Sequence, residues 1–167
     1  MPPPAPATTL ETEGRSAAEA WVEAFIEGWR SPAGGDALAD HFDPVISSDV
    51  RLIQPQIPTL VGKHDFRERF ARPLFDLIPD LRGEVERWAA GEDTAYIEMK
   101  MRGTLGGRPV SWRVCDRISL RDGIAVERET YMDPLPLLRA VATCPRSWPG
   151  FARMQARELF HRLRRRQ

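Results

Sequence analysis

Residues 108–133, RPVSWRVCDRISLRDGIAVERETYMD, form two runs of alternating apolar and polar side chains joined by Arg121-Asp122-Gly123. Alternation puts every second side chain on one face of a strand, so the segment predicts a β-hairpin. A three-residue loop ending in a left-handed glycine at position 123 pairs Leu120 with Ile124. Counting outward, one face carries the pairs Ile118–Val126, Asp116–Arg128, Val114–Thr130 and Trp112–Met132. The other carries Arg117–Glu127 and Cys115–Glu129 and reads as a solvated or polar-interface surface. A two-residue Asp-Gly turn would slip the register by one and set Asp116 against Glu129, a like-charge pairing, which favours the longer loop. The hairpin therefore sets a single carboxylate, Asp116, on the apolar face that a sheet turns inward.

The rest of the chain is that of a soluble globular protein: 167 residues, 42% apolar and 29% charged, enough for one domain with an ordinary core. No run of eighteen apolar residues spans a membrane, and the opening MPPPAPATTLETEG lacks the charged-then-apolar order of a secretory signal, so a cytoplasmic location is expected. Cys115 and Cys144 stand apart and outside any metal spacing, which predicts free thiols. His41, His64 and His161 have no second ligand at metal spacing. Neither a metal nor an organic cofactor is expected. Covalent catalysis finds no Gly-x-Ser-x-Gly elbow, and Gly103, Gly106 and Gly107 mark a hairpin rather than a phosphate cradle. From Cys144 onward seven arginines face one glutamate, leaving a net charge of about −6 on the remainder. Such a tail docks on the acidic body of its own or a neighbouring subunit, or is simply solvated; nucleic acid is the less favoured partner.

Along the chain, residues 1–15 carry four prolines and little to pack, and are expected to be disordered. Ser16 and Glu19 form a capping box at the start of a helix whose apolar face is Trp21, Ala24, Phe25 and Gly28, ended by SPAGG. Asp36 is placed to cap a short helix through Leu38 to Phe42, and Val50 to Gln54 reads as a strand stopped by Pro55. GKHDFRERFARPLFDLIPD predicts a third helix with Phe66 and Phe70 on one face and a disturbance at Pro73. Strands follow at Arg82–Ala89, Thr94–Leu105 and Val110–Leu120, the last two joined by Gly106-Gly107. Asp133 is placed to cap a helix through Leu137 to Val141, and Ser147 another bearing Trp148, Phe151, Met154, Leu159 and Leu163. Helices followed by a strand meander predict an α+β fold, with residues 16–143 as the domain and 144–167 as a basic helical extension.

With AWVEAFIEGW opening the first helix, VGKHDFRERF the third and DRISLRDGIAVERETYMDP closing the sheet, residues 16–141 resemble the nuclear transport factor two-like superfamily, and its SnoaL-like polyketide cyclase branch most. The resemblance implies a cone: a curved antiparallel sheet wrapped around a pocket that the N-terminal helices close. It also implies a homodimer through the sheet's outer face. In SnoaL-like cyclases an aspartate seven residues before the hairpin glycine is the acid/base of an aldol closure, and Asp116 stands at that distance from Gly123. Ketosteroid isomerases need a tyrosine and an aspartate where this chain has Trp21 and Gln54. Limonene-epoxide hydrolases need an Asp-Arg-Asp set where it has Met99, Met101 and Thr130. Neither of those two reactions is expected.

Two readings of Asp116 remain open. Burial beside Trp112, Val114 and Ile118 favours the neutral acid and Arg128 favours the carboxylate, so Asp116 is either a general acid/base or half of a structural ion pair. In the catalytic reading, Asp116 is the acid/base, Arg128 its charge partner or an oxyanion stabiliser, and Gln54 an orienting amide. Trp21, Phe25, Leu52, Phe70, Ile97, Met99, Met101, Trp112, Val114 and Thr130 then line an apolar ligand pocket rather than a filled core. The function expected is a cofactor-independent lyase, isomerase or cyclase acting on an apolar, carbonyl-bearing small molecule of polyketide or terpenoid type. The alternative is a non-catalytic small-molecule-binding or assembly module of the same fold.

Overall fold

In the computed structural model, residues 16–55, 57–152 and 156 are described. The expectations for residues 1–15 and for Met154, Leu159, His161 and Leu163 fall outside them. Helix α1 (Ala17–Arg30) begins as its sequence dictates: Ser16 Oγ accepts from Glu19 N at 3.1 Å, and Glu19 Oε2 accepts from Ser16 N at 2.9 Å. Its buried face is Ala18, Trp21, Val22, Phe25, Gly28 and Trp29, with Ala24 only half-buried. Helix α2 (Gly35–Phe42) starts one residue before Asp36, whose carboxylate binds Arg67 and Arg72 instead of capping. A 3-10 turn, Asp43–Val45, leads into strand β1 (Ile46–Ile53), longer at its start than the apolar run alone suggests.

After the two-residue strand β2 (Leu60–Val61), the third helical segment runs as α3 (Gly62–Asp65), a π turn (Phe66–Ala71) and α4 (Arg72–Leu77). The widening has a local cause. Pro73 has no N–H for the Arg69 carbonyl and its ring crowds that turn. The backbone answers with a wider loop, in which Arg72 N donates to Arg67 O, five residues back.

Strands β3 (Arg82–Ala90), β4 (Thr94–Leu105), β5 (Arg108–Arg121) and β6 (Ile124–Met132) complete a six-stranded sheet in the order β2-β1-β6-β5-β4-β3. Every neighbouring pair is antiparallel except β1 with β6, which is parallel. Register shifts at Val85/Arg87, Ser119/Leu120 and Ile46/Arg51 each bend a strand and add twist, curving the sheet around α1.

The closing hairpin corrects the expected register. Its turn is the two-residue Asp122-Gly123 with φ of 52° and 75°, so Arg121 pairs with Ile124 and Leu120 with Ala125. Alone, that turn would have put Asp116 opposite Glu129. A bulge at Val126 inserts one residue, after which Ser119 pairs with Glu127, Ile118 with Arg128, Asp116 with Thr130 and Val114 with Met132. Beyond the bulge, one residue removed from the turn and one added at Val126 move each pairing by two positions, which preserves the face of every side chain from Glu127 onward; before it the faces exchange, so Ala125 is buried while Val126, expected inward, is only half-buried. Asp116, Arg128 and Thr130 therefore share the concave face as expected, although Thr130, not Arg128, is directly opposite Asp116.

The concave face carries Ala95, Ile97, Met99 and Met101 of β4 and Trp112, Val114, Asp116 and Ile118 of β5, all buried. The convex face carries cross-strand ion pairs, Arg113–Glu86 at 2.9 Å, Arg117–Glu129 at 2.6 Å and Arg51–Glu127 at 2.8 Å, with Tyr96 and Tyr131 exposed among them; Trp88, paired with Ile97 on the edge strand β3, is exposed on the opposite side. Beyond β6, Asp133 Oδ1 accepts from Leu135 N at 2.9 Å and helix α5 (Leu135–Ala142) begins. A 3-10 turn (Pro145–Ser147) and a helical stretch at residues 148–152 follow. Ser147 does not cap that stretch; its hydroxyl donates to the Cys144 carbonyl at 2.7 Å. This segment is pinned by Trp148 Nε1, which donates to Val141 O at 3.0 Å, and by Cys144, packed on the Gly106 turn.

Candidate active site

Between the curved sheet, the π turn and α5 lies a cavity of about 140 Å³. That is comparable to the space one aromatic ring occupies in a dry protein cavity. Its apolar wall is Met99 and Met101 of β4, Trp112 and Val114 of β5, Met132 of β6, Trp29 of α1 and Phe70, Pro73, Leu74, Leu77 and Ile78 of the third helical segment. Leu137, Leu138, Val141 and Phe151, all C-terminal to the sheet, close one end. The polar lining is Gln54, Glu68, Arg69, Arg128 and Thr130.

Thr130 and Arg128 front the buried carboxylate. Thr130 Oγ1 donates to Asp116 Oδ1 at 2.6 Å, and Arg128 Nη2 lies 2.8 Å from Oδ2. The second contact is an ion pair whose N–H points off the oxygen: neither Oδ2 nor Arg128 Nε has an aligned hydrogen-bond partner. Asp116 is 0% exposed and the Arg128 side chain 12%. Three rings surround the guanidinium, with Phe70, Trp29 and Phe25 centroids 5.2, 5.6 and 5.9 Å from its carbon. The cage and the carboxylate together hold the cation against the cavity, where its weak hydration and planar shape lower the cost of burial.

A second buried pair faces it from the π turn. Arg69 Nη1 is 2.7 Å from Asp65 Oδ2, and both side chains are over nine-tenths buried. The wide turn is what brings Glu68, Arg69 and Phe70 to the cavity from consecutive positions.

The structure brings together many of the residues that the sequence proposes and separates others. Gln54, Phe70, Met99, Met101, Trp112, Val114, Arg128 and Thr130 all line the main cavity. Trp21, Phe25 and Leu52 line a neighbouring space of about 20 Å³, with Arg128 in both walls. Ile97 and Asp116 are fully buried and line neither. Trp21 Nε1 donates to the Val45 carbonyl at 2.9 Å, so its polar atom fixes the 3-10 turn that follows α2. His41 Nε2 is 2.8 Å from Ala24 O, a link between α1 and α2. Among the described residues no three His, Cys, Asp or Glu side chains cluster as metal ligands.

Sequence reasoning missed Trp29, Arg69, Glu68 and the C-terminal lining residues. Trp29 was within reach, because Trp21, Phe25 and Trp29 recur at four-residue spacing on one helix face. Arg69 was not, since in a regular helix nothing distinguishes it from Arg67 or Arg72.

An α+β cone with helices closing a pocket on the concave side of a mostly antiparallel sheet is the architecture of the nuclear transport factor two-like superfamily. Within it, residues 18–128 match the model of the SnoaL-like domain, and the chain belongs to that family. A candidate SnoaL-like polyketide cyclase from Jannaschia sp. CCS1 superposes with a TM-score of 0.65 at 22% identity, covering 80% of this chain and 99% of that one. TerC, co-crystallised with polyporic acid, gives 0.65 at 16%, covering 77% and 100%. An epoxide hydrolase of the limonene type from M. tuberculosis gives 0.58 at 17%, covering 77% and 91%. At such identities the likeness is one of fold. No curated protein matches the chain by sequence. The matched region ends at Arg128, so α5 and the residues that close the cavity lie beyond it.

Proposed function

We propose that the protein is a cofactor-independent lyase, isomerase or cyclase that works on an apolar, carbonyl-bearing small molecule held in the 140 Å³ cavity. The observation that carries this reading is a guanidinium and a hydroxyl at the cavity wall, both in contact with a buried carboxylate behind them. Arg128 takes the carbonyl oxygen and stabilises the enolate that forms when the adjacent C–H loses its proton. Because Asp116 has no surface in the cavity, that proton reaches it through Thr130. The hydroxyl oxygen accepts the proton from carbon while its own proton passes 2.6 Å to Oδ1. The C–H electron pair becomes the enolate, and return of the proton along the same path completes an isomerisation or follows ring closure. Gln54 orients the substrate from the end of β1.

The full burial of Asp116 also supports a second reading, in which the carboxylate only holds Arg128 and the cavity binds without turnover. One experiment separates the two. Hydrogen–deuterium exchange at the α-carbon of a panel of small aryl ketones, followed by NMR, is expected to be accelerated by the wild type and lost in both Asp116→Asn and Thr130→Val. Exchange that survives in both variants defeats the catalytic reading; ligand binding with no exchange in the wild type establishes the module. A homodimer through the convex face belongs to the same proposal. Tyr96 and Tyr131 supply exposed apolar surface there, and light scattering at twice the monomer mass is the check.

A further inference from the structure

We propose that the ligand is a small apolar acid, a one-ring keto acid in size, whose carboxylate seats between Arg69 and Arg128. This deepens the reading of the cavity as a ligand site and rests on it. The two buried ion pairs have the same orientation. Arg69 and Arg128 line the cavity while their partners, Asp65 and Asp116, do not. A structural ion pair has no reason to present one sign to the same cavity twice, from a sheet strand and from a helix.

A carboxylate offers two oxygens to a guanidinium fork. Glu68, the one carboxylate among the described lining residues, is tied to Arg72 Nη1 at 2.5 Å, so its charge is countered outside the cavity. Arg69 owes its place to the π turn, a local distortion that recurs at functional sites. The remaining wall suits one ring: methionines that adapt in shape, with Trp112 and Phe70.

The test compares phenylacetate with phenylacetamide, which share shape and differ in charge, by titration calorimetry on the full chain. The acid is expected to bind tighter by about tenfold or more, the ratio that one charge-assisted hydrogen bond gives. Arg69→Gln and Arg128→Gln should each reduce that preference, weakening the acid more than the amide. Since Arg128→Gln strands Asp116, the double variant Asp116→Asn/Arg128→Gln serves as the second form of that test. Equal binding of acid and amide overturns the acid preference and leaves the cavity as a ligand site. Binding of neither probe overturns the proposal as well. Turnover is not read, so this result is independent of the fate of the proton-transfer mechanism.

Discussion

Asp116 and Arg128 should be strongly coupled in stability, and the structure sets the size of the effect. Arg128→Met keeps much of the side chain's bulk within the cage of Phe25, Trp29 and Phe70, but leaves a fully buried carboxylate with only the Thr130 hydroxyl. Breaking one partner of a buried pair costs about 3–5 kcal/mol, a third or more of the stability of a typical domain. Asp116→Leu alone leaves the guanidinium without its counter-charge, at a similar cost, and deprives Thr130 Oγ1 of its acceptor. The double variant removes both charges and retains only that hydroxyl defect, about 1–2 kcal/mol. The coupling energy is then about 3 kcal/mol or more, with the double variant more stable than either single one. Urea unfolding followed by tryptophan fluorescence reads it directly, since Trp29 packs on the guanidinium. Additive losses, with coupling below about 0.5 kcal/mol, would show that Arg128 does not neutralise Asp116 and would remove the basis for the whole site.

Other consequences are simpler. Gly35→Ala places a Cβ 2.7 Å from the backbone of Ala71 and Arg72, which cannot rotate away, so α2 must shift off the third helical segment. A loss of about 1–3 kcal/mol is expected, and an unchanged thermal midpoint would contradict the packing. Ser16→Ala removes half of the capping box and should cost about 1 kcal/mol, with Glu19→Ala showing a smaller or equal loss and the pair being non-additive. Burial pushes the Cys115 thiol up, and Asp116 and Glu98 push in the same direction. Its alkylation by iodoacetamide at pH 8, mapped by peptide mass, should lag well behind that of urea-unfolded protein and rise only above pH 9; equal rates at pH 8 would refute that environment. The Asp80 carboxyl is held below its ordinary value chiefly by the Thr104 hydroxyl and amide. Its contribution to stability is present above the unfolded value near 3.8 and disappears as pH falls through the lower folded one, so Asp80→Asn should flatten the acid limb of unfolding.

What the sequence determined was whatever depends on near neighbours along the chain. Ser16 and Glu19 start α1, alternation delimits Thr94–Leu105 at both ends as observed, and parity along β5 turns Asp116 inward with Trp112 and Val114. Parity survives beyond the bulge: the turn was one residue shorter and the bulge one residue longer than counting supposed, so the faces from Glu127 onward stayed the same, while Ala125 replaced Val126 on the inward side. Tertiary structure alone decided what depends on distances across the chain. The bulge at Val126 made Thr130 rather than Arg128 the partner opposite Asp116. The π turn before Pro73 carried Arg69 to the cavity, and α5 with residues 148–152 brought Leu137, Val141 and Phe151 over its end. Most of all, only the packed sheet could place Asp116 behind its neighbours. A strand pattern tells which face a carboxylate joins, whereas depth beneath that face depends on how the long side chains of Arg128 and Thr130's strand close over it. That is why the sequence named the charged group and the structure named the groups that a ligand would touch.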